Sequence, residues 1–143
     1  MFIGTYNHTI DAKGRTSLPA RLREQLVADG ESKIVLTAFP HWRAIQAWPL
    51  SEWKKLEEKV KQLSPLDYIA QKNVLRFFST AQEVDLDDHG RVLVPPALRG
   101  YAALAKDVVW VGMGRTIQLW DQAAHEASMA AEMPSNEILD FFK

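Results

Sequence analysis

The sequence contains no cysteine, which excludes disulfide bonds, thiolate metal ligands and cysteine nucleophiles. No apolar run approaches the roughly 18 residues that a membrane-spanning helix needs, and no basic segment followed by a long apolar run stands near Met1. A formal net charge of −1 over 143 residues is not that of a broadly basic nucleic-acid coat protein. We therefore expect a cytoplasmic globular protein without membrane contact, in which any affinity for nucleic acid comes from local charge.

Positive charge is concentrated near the N-terminus. The segment 11–23, with the sequence DAKGRTSLPARLR, contains four of the 17 lysine and arginine residues against a single acid, Asp11. The four basic residues are Lys13, Arg15, Arg21 and Arg23. Because phosphate binding depends on where cations lie rather than on the total charge, this segment predicts a basic surface.

The same segment occurs a second time in the chain. Residues 87–99 read DDHGRVLVPPALR and match residues 11–23 in an Asp, a Gly, an Arg, a Pro, a Leu and a final Arg at identical spacing. Farther on, IQAW at 45–48 matches IQLW at 117–120. Two matching blocks in the same order indicate a duplicated unit.

Local signals predict the element order ββαββ for each unit. A strand leads into a glycine turn, a second strand leaves it, and a proline opens a short helix that two more strands follow. The D-x-x-G-R pieces are thus expected at hairpin tips. In the first unit the predicted strands are 5–11, 15–18, 33–37 and 43–48, with helix 20–27; in the second they are 82–86, 91–94, 107–111 and 116–120, with helix 97–105.

Helices are predicted outside the two units. Apolar residues at helical spacing indicate helices over 50–63 and about 66–78, the second one after a cap near Ser64. Asp121 can cap a helix that Pro134 ends, and Ser135 can cap a final short helix. The expected domains are the two units at 1–50 and 81–121, connecting helices at 51–80, and C-terminal helices at 122–143.

The predicted fold class is mainly β with helices (α+β). Short strands in small units leave unpaired edges, which favour pairing of one unit with the other and further assembly.

Two tandem D-x-x-G-R motifs, each followed by an apolar-Pro step and a later strand that ends in Trp, resemble the MraZ family of bacterial transcriptional regulators. The resemblance covers nearly the whole chain and implies two AbrB-like (SpoVT-AbrB) modules that form a swapped-hairpin β-barrel. It also implies a nucleoid-associated ring of several identical subunits. Such rings bind double-stranded promoter DNA at short direct repeats upstream of their own gene. That gene heads the cluster for cell division and cell-wall synthesis, which family members mostly repress.

The chemistry of the first copy favours DNA contact. Gly14 lets the backbone bend at the tip, Arg15 offers a planar fork for guanine or phosphate, and Lys13 offers a point charge for backbone oxygens. Arg21 and Arg23 could add phosphate contacts that set the register. Asp11 has the wrong charge for DNA, so we interpret it as the partner that orients Arg15.

The second copy is interpreted as mainly structural. His89 replaces the lysine, and the arginine of this copy, Arg91, follows a run of acids that would repel phosphates: Glu83, Asp85, Asp87 and Asp88. Asp87 and Arg91 are expected to pair with each other. The same structural interpretation stays open for the Asp11–Arg15 pair, and for Arg23, whose match with Arg99 equally favours a structural role.

Two other classes of function are the alternatives to a DNA-binding regulator. A protein-interaction scaffold of the same fold would use the basic hairpin to bind an acidic partner. An enzyme is disfavoured, because no nucleophile–base pair or carboxylate dyad stands at usable spacing. We expect no metal, cofactor or small-molecule substrate, and the presence or absence of sequence preference on DNA separates regulator from scaffold.

Overall fold

The computed structural model describes residues 1–131, which form a mixed α+β fold with eight strands and five helices. The first repeat contains β1 (Thr5–Thr9), β2 (Arg15–Ser17), α1 (Ala20–Ala28), β3 (Lys33–Ala38) and β4 (Ile45–Pro49). The connecting helices are α2 (Leu50–Lys61) and α3 (Tyr68–Thr80). The second repeat contains β5 (Gln82–Asp85), β6 (Arg91–Leu93), α4 (Pro96–Tyr101), β7 (Asp107–Gly112) and β8 (Ile117–Asp121), and α5 (Gln122–Ala130) follows it. The predicted α+β class and the order ββαββ in both repeats are confirmed.

The strands form a six-stranded antiparallel sheet in the order β1-β7-β8-β4-β3-β5 and a separate two-stranded ribbon of β2 and β6. The repeats exchange strands, since β1 pairs with β7 of the second repeat and β5 pairs with β3 of the first. The predicted closed barrel is not confirmed. Strands β1 and β5 lie at opposite edges of the sheet, and within the described residues no hydrogen bonds join them.

An internal pseudo-twofold relates the two repeats. Thr16 pairs with Val92, its equivalent in the other repeat, at the centre of the β2–β6 ribbon. Gln46 likewise pairs with its equivalent Gln118 where β4 meets β8. A residue opposite its own counterpart marks a twofold interface, as in a symmetric dimer. The duplication therefore behaves as a dimer within one chain.

The core takes equivalent residues from both repeats. Leu18 and its counterpart Val94 are both fully buried, as are the aliphatic residues of β4 and β8, Ile45 and Ile117. Pro19 and Pro95 occupy the N-cap positions of α1 and α4, one residue before the helices. Proline is compatible with this place because the first backbone N–H groups of a helix have no intrahelical partner.

Several helix boundaries differ from prediction, and two of them have a clear local cause. Helix α4 ends at Tyr101 rather than at residue 105, because Ala103 adopts a φ of +50° and Leu104 N–H donates back to Arg99 O at 3.0 Å. This left-handed C-terminal cap stops the helix. Helix α3 begins at Tyr68 rather than near residue 66, because the Asp67 carboxylate accepts the N–H of Ala70 at 3.1 Å.

Helix α5 begins after Asp121, whose side chain accepts the N–H of Ala124, as predicted. The predicted end of this helix at Pro134 and the short helix capped by Ser135 lie outside the described residues. In residues 1–131, none of the helices is both long enough and apolar enough to cross a lipid bilayer.

Candidate nucleic-acid interface

The first D-x-x-G-R motif forms a tight turn that the Asp11 carboxylate holds together. One of its oxygens accepts the backbone N–H groups of Lys13 and Arg15, at 3.0 and 2.9 Å. The other accepts Arg15 Nε–H at 2.8 Å. The backbone closes the turn, with Gly14 N–H donating to Asp11 O at 3.0 Å and Asp11 N–H donating to Arg15 O at 2.9 Å. Asp11 therefore fixes both the loop and the arginine side chain, as predicted from its charge.

The second motif forms the same turn, with the same set of hydrogen bonds. Asp87 accepts the N–H groups of His89 and Arg91 at 2.9 and 2.8 Å, and it accepts Arg91 Nε–H at 2.8 Å. The Arg91 side chain is 34% exposed and that of Arg15 is 36% exposed. The predicted pairing of Asp87 with Arg91 is present, but the same pairing in the first turn means that geometry alone does not separate the two arginines.

The first turn connects strands that pair mainly with the other repeat. Within the described residues a single bridge, between Ile10 and Thr16, joins the strands on either side of this turn. Farther from the turn, β1 pairs with β7 and β2 pairs with β6. The predicted turn is therefore present, and both of its strands find their main partners in the other repeat.

Each turn glycine lies beneath an arginine of the other repeat. A Cβ built on Gly14 would stand 2.7 Å from Nε of Arg99, and a Cβ built on Gly90 would stand 2.7 Å from Cδ of Arg23. Both glycines are buried and have positive φ, +91° and +74°. Glycine is therefore required at each turn for its backbone conformation and for the arginine that crosses it.

The two crossing arginines differ in their hydrogen bonding. Arg99 Nε–H donates to the carbonyl of Val94 at 3.1 Å. Arg23 Nε is buried and has no hydrogen-bond partner within residues 1–131. The match between Arg23 and Arg99 in the sequence therefore reflects a shared packing position, which is the structural alternative that the repeat left open for Arg23.

The outward side of the β2–β6 ribbon, which we call the ribbon face, carries one arginine from each repeat. Strand alternation buries Thr16 and Val92, which are 1% and 0% exposed, and points their neighbours outward. The ribbon face consists of Arg15, Ser17, Arg91 and Leu93. Arg15 pairs with Leu93 and Ser17 pairs with Arg91, so the arginines are diagonal neighbours, with Cα atoms roughly 7–8 Å apart.

Further cations flank the ribbon face on the side of the first repeat. Lys13 in the turn and Arg21 on α1 are both exposed, and no ion pair within the described residues involves either. Their counterparts in the second repeat are His89 and Ala97. The predicted residues Lys13, Gly14, Arg15, Arg21 and Arg23 thus lie in and around one turn and the helix after it, and the first repeat carries the larger positive charge.

Hydrogen bonding shifts the pKa of the two turn aspartates. The backbone N–H of Arg15 is the main cause that lowers the pKa of Asp11, and its guanidinium adds to the effect against partial burial. The pKa of Asp87 is lowered in the same way, first by the backbone N–H of Arg91. Both carboxylates therefore stay ionised and keep their arginines restrained at neutral pH.

The pKa of a third residue, His8, depends in part on Arg23. Partial burial, followed by the positive charge of Arg23, lowers the pKa of His8 from its ordinary value of 6.5. His8 lies on β1, opposite Val108 of the second repeat. Arg23 therefore acts on a strand that both repeats share, in addition to covering Gly90.

Two residues of this surface were missed by sequence reasoning. The repeat marks Arg99 only as the equivalent of Arg23, and Leu93 falls within the predicted strand 91–94 without any motif of its own. The alternation of RVLV in β6 puts Leu93 on the same side as Arg91, and this signal could have found it. Within residues 1–131 no group of three His, Asp or Glu side chains is placed to hold a metal ion.

The fold and the surface define a protein of two tandem repeats, in which the D-x-x-G-R turns of both repeats flank the β2–β6 ribbon. A family model described as "MraZ protein, putative antitoxin-like" matches residues 1–76 and again residues 77–140. A protein from Anaeromyxobacter dehalogenans (strain 2CP-C) is 63% identical over 143 residues, which is 100% of this chain and 99% of that protein. The chain belongs to the MraZ family.

Two more distant relatives also align over nearly the whole chain. One from Carboxydothermus hydrogenoformans is 42% identical, over 99% of both chains. One from Acidovorax sp. (strain JS42) is 41% identical, over 100% of this chain and 97% of its own length. All three relatives carry the name "Transcriptional regulator MraZ".

Proposed function

We propose that this protein is a transcriptional regulator that binds short direct repeats in the double-stranded promoter DNA upstream of its own gene. The genes controlled would be those of the division and cell-wall cluster, with repression as the main output, and the protein would act in the cytoplasm at the nucleoid. The naming of the relatives as transcriptional regulators and the charge around the first turn support this proposal. No catalytic step is part of it.

The observation that carries the proposal is the restrained arginine of the first turn. Asp11 holds Arg15 through Nε–H, and the two Nη groups donate no hydrogen bond in the described part of the chain. A guanidinium held this way presents its fork with fewer rotamers to lose on binding. Such a fork matches guanine O6 and N7 or a phosphate.

The neighbouring residues are proposed to set the register on the DNA backbone. Lys13 and Arg21 are exposed and free of ion pairs within residues 1–131, so both can reach phosphates. Gly14 would contribute through the turn itself, because its positive φ sets the backbone that carries Lys13 and Arg15. Arg23 is half-buried, and its proposed phosphate contact would be made by the part of the guanidinium that does not lie against Gly90.

The unequal repeats support recognition of a direct repeat rather than a palindrome. A symmetric dimer presents two identical halves, and its operator mirrors that symmetry. Here the two halves are fused and differ at the turn, with Lys13 in one and His89 in the other. The binding surface therefore has a direction, as a direct repeat has.

We also propose that several copies assemble into a closed ring. Four apolar side chains on or beside α3 are 65–92% exposed, which is unusual for a surface helix: Leu66, Tyr68, Ile69 and Leu75. In the part of the chain that the structure describes, strands β1 and β5 have unpaired outer edges. Exposed apolar surface and free strand edges favour contact with another copy, and a head-to-tail contact that closes gives a ring.

A fluorescence-anisotropy titration of the wild-type protein tests the proposal. It compares the duplex upstream of the gene with a scrambled duplex of equal composition, at two salt concentrations, while native mass spectrometry counts the subunits. We expect affinity to fall steeply with salt and the preference for the upstream duplex to persist, at roughly a thousandfold or more. Equal binding of both duplexes would favour the alternative, an oligomeric protein-interaction scaffold with an acidic partner.

A further inference from the structure

The ribbon face is not symmetric, although the ribbon itself is. Each repeat contributes an arginine and the residue two positions later, which are Arg15 with Ser17 and Arg91 with Leu93. Ser17 is half-buried, whereas Leu93 is 56% exposed. The pseudo-twofold therefore places a hydroxyl group on one side of the face and a bare isobutyl group on the other.

The position of Leu93, rather than its exposure alone, is informative. Single exposed leucines are common on protein surfaces and need no special explanation. Leu93, however, lies directly opposite Arg15 in the strand pairing and two residues from Arg91 on the same strand. It is thus an apolar side chain next to both arginine positions of the ribbon face.

We propose that Leu93 is a specificity-determining residue that contacts the 5-methyl group of a thymine, next to the base that Arg15 contacts. This inference rests on the proposed function and deepens it. The major groove of DNA admits a two-stranded β-ribbon, and the thymine methyl is the apolar group exposed on the base edges there. The ribbon face supplies a hydrogen-bonding fork and an apolar side chain in adjacent cross-strand positions, which suits a guanine beside a thymine.

The position of Leu93 would give the second repeat a role in DNA recognition that the negative charge of its turn does not weaken. Asp88 is exposed and would repel phosphates near the second turn. Contact between Leu93 and a methyl group involves no charge, and Leu93 lies at the end of the ribbon opposite Arg15, beside the first turn rather than the second. The first repeat would then supply charge and the second an apolar contact.

The size of the expected effect follows from the apolar area of one methyl group. Removing one buried methyl or methylene from water is favourable by an amount that corresponds to roughly a fourfold change in affinity. Deoxyuridine lacks the 5-methyl group of thymidine and keeps its hydrogen-bonding edge. Replacing one thymine at a time by deoxyuridine therefore isolates this contact.

The experiment titrates wild type, Leu93→Ser and Met113→Ser with the upstream duplex and with each single deoxyuridine duplex. Leu93→Ser gives the second repeat the residue that the first repeat has at this position. Met113→Ser is the matched control, because Met113 is 47% exposed and lies in the β7–β8 turn, near Phe2 and away from the Asp11 turn. Native mass spectrometry of each variant checks the subunit number.

We expect wild type and Met113→Ser to lose roughly fourfold in affinity at one deoxyuridine position. Leu93→Ser should bind the thymine duplex and that deoxyuridine duplex equally. The inference is overturned if wild type prefers the upstream duplex over scrambled DNA yet shows no thymine dependence, or if Leu93→Ser keeps that dependence. A changed subunit number in Leu93→Ser would also overturn it, in favour of a contact between subunits. If wild type does not prefer the upstream duplex at all, the proposed function itself fails.

Discussion

Arg23 lies on α1 in the first repeat, and its side chain covers the backbone of Gly90 in the turn of the second repeat. Arg99 on α4 covers Gly14 of the first turn in the same manner. Each turn is therefore held from two directions, by the aspartate of its own motif and by the arginine of the other repeat. A change at either turn glycine consequently disturbs the contact between the repeats.

We predict that Gly90→Ala destabilises the protein more than Gly30→Ala. Both glycines have a φ of +74°, so both substitutions incur the same backbone cost, about 1–2 kcal/mol. A Cβ on Gly30 meets nothing within 4 Å, whereas a Cβ on Gly90 would displace Arg23. The free energy of unfolding in urea should fall by about 1 kcal/mol more for Gly90→Ala, and equal losses would argue against the crossing contact.

Arg15→Ala should strongly reduce the preference for the upstream duplex while folding and assembly stay intact. The lost fork is worth roughly 1–3 kcal/mol of discrimination, whereas an exposed ion pair contributes at most about 1 kcal/mol to stability. Anisotropy titrations measure the preference and urea unfolding measures the stability. Arg115→Ala removes an exposed arginine near the β7–β8 turn and serves as the control. Full specific affinity in Arg15→Ala would contradict the assignment.

Arg91→Ala should reduce the preference for the upstream duplex less than Arg15→Ala does. The two side chains have nearly the same exposure and the same Nε contact, so their losses of unfolding free energy should agree within about 0.5 kcal/mol. The additional acid Asp88 beside the second turn makes it the poorer site for a phosphate. If the Arg91→Ala protein is fully folded and assembled but cannot bind DNA, both turns contact DNA equally and the prediction is wrong.

Arg23→Ala should raise the pKa of His8 toward 6.5. The charge of Arg23 is one of the two causes that lower this pKa, and partial burial is the larger one, so the shift will be incomplete. An NMR titration of the His8 ring measures it, with Arg21→Ala as the matched control. An unchanged pKa in Arg23→Ala would place Arg23 away from His8.

The lowered pKa of His8 also predicts how stability depends on pH. The native state binds this proton less readily than the unfolded chain, so the unfolded chain takes up protons first as the pH falls below 6.5. The stability that neutral His8 contributes is thus present above pH 6.5 and is lost as the pH falls through the lower native pKa. Urea unfolding of the wild type and His8→Gln between pH 5 and 8 should show this loss only in the wild type.

Local signals in the sequence predicted the order of the elements, the two turns and the pairing of each turn aspartate with its arginine. These features depend on contacts within a few residues, such as those between Asp11 and Arg15. The end of α4 was missed because an alanine, Ala103, takes the left-handed conformation that usually marks a glycine.

Short strands with unpaired edges predicted that the repeats pair with each other, which the structure confirms, but which strands pair was beyond such signals. Pairing of β1 with β7 and crossing of Gly90 by Arg23 join residues that are far apart in the sequence. Repeat matching identified Arg23 and Arg99 as equivalent, but it could not show that each acts on the opposite turn. For the same reason, the ribbon face emerged only when β2 and β6 were placed side by side.

The exchange of strands between the repeats affects how the chain folds during its synthesis. Thr5 pairs with Val111, so β1 stays without its partner until synthesis has reached the second repeat. Pairing between such distant segments slows folding and prolongs the exposure of unpaired strand edges. A transcript cut short within the second repeat would therefore yield a product that cannot complete its sheet.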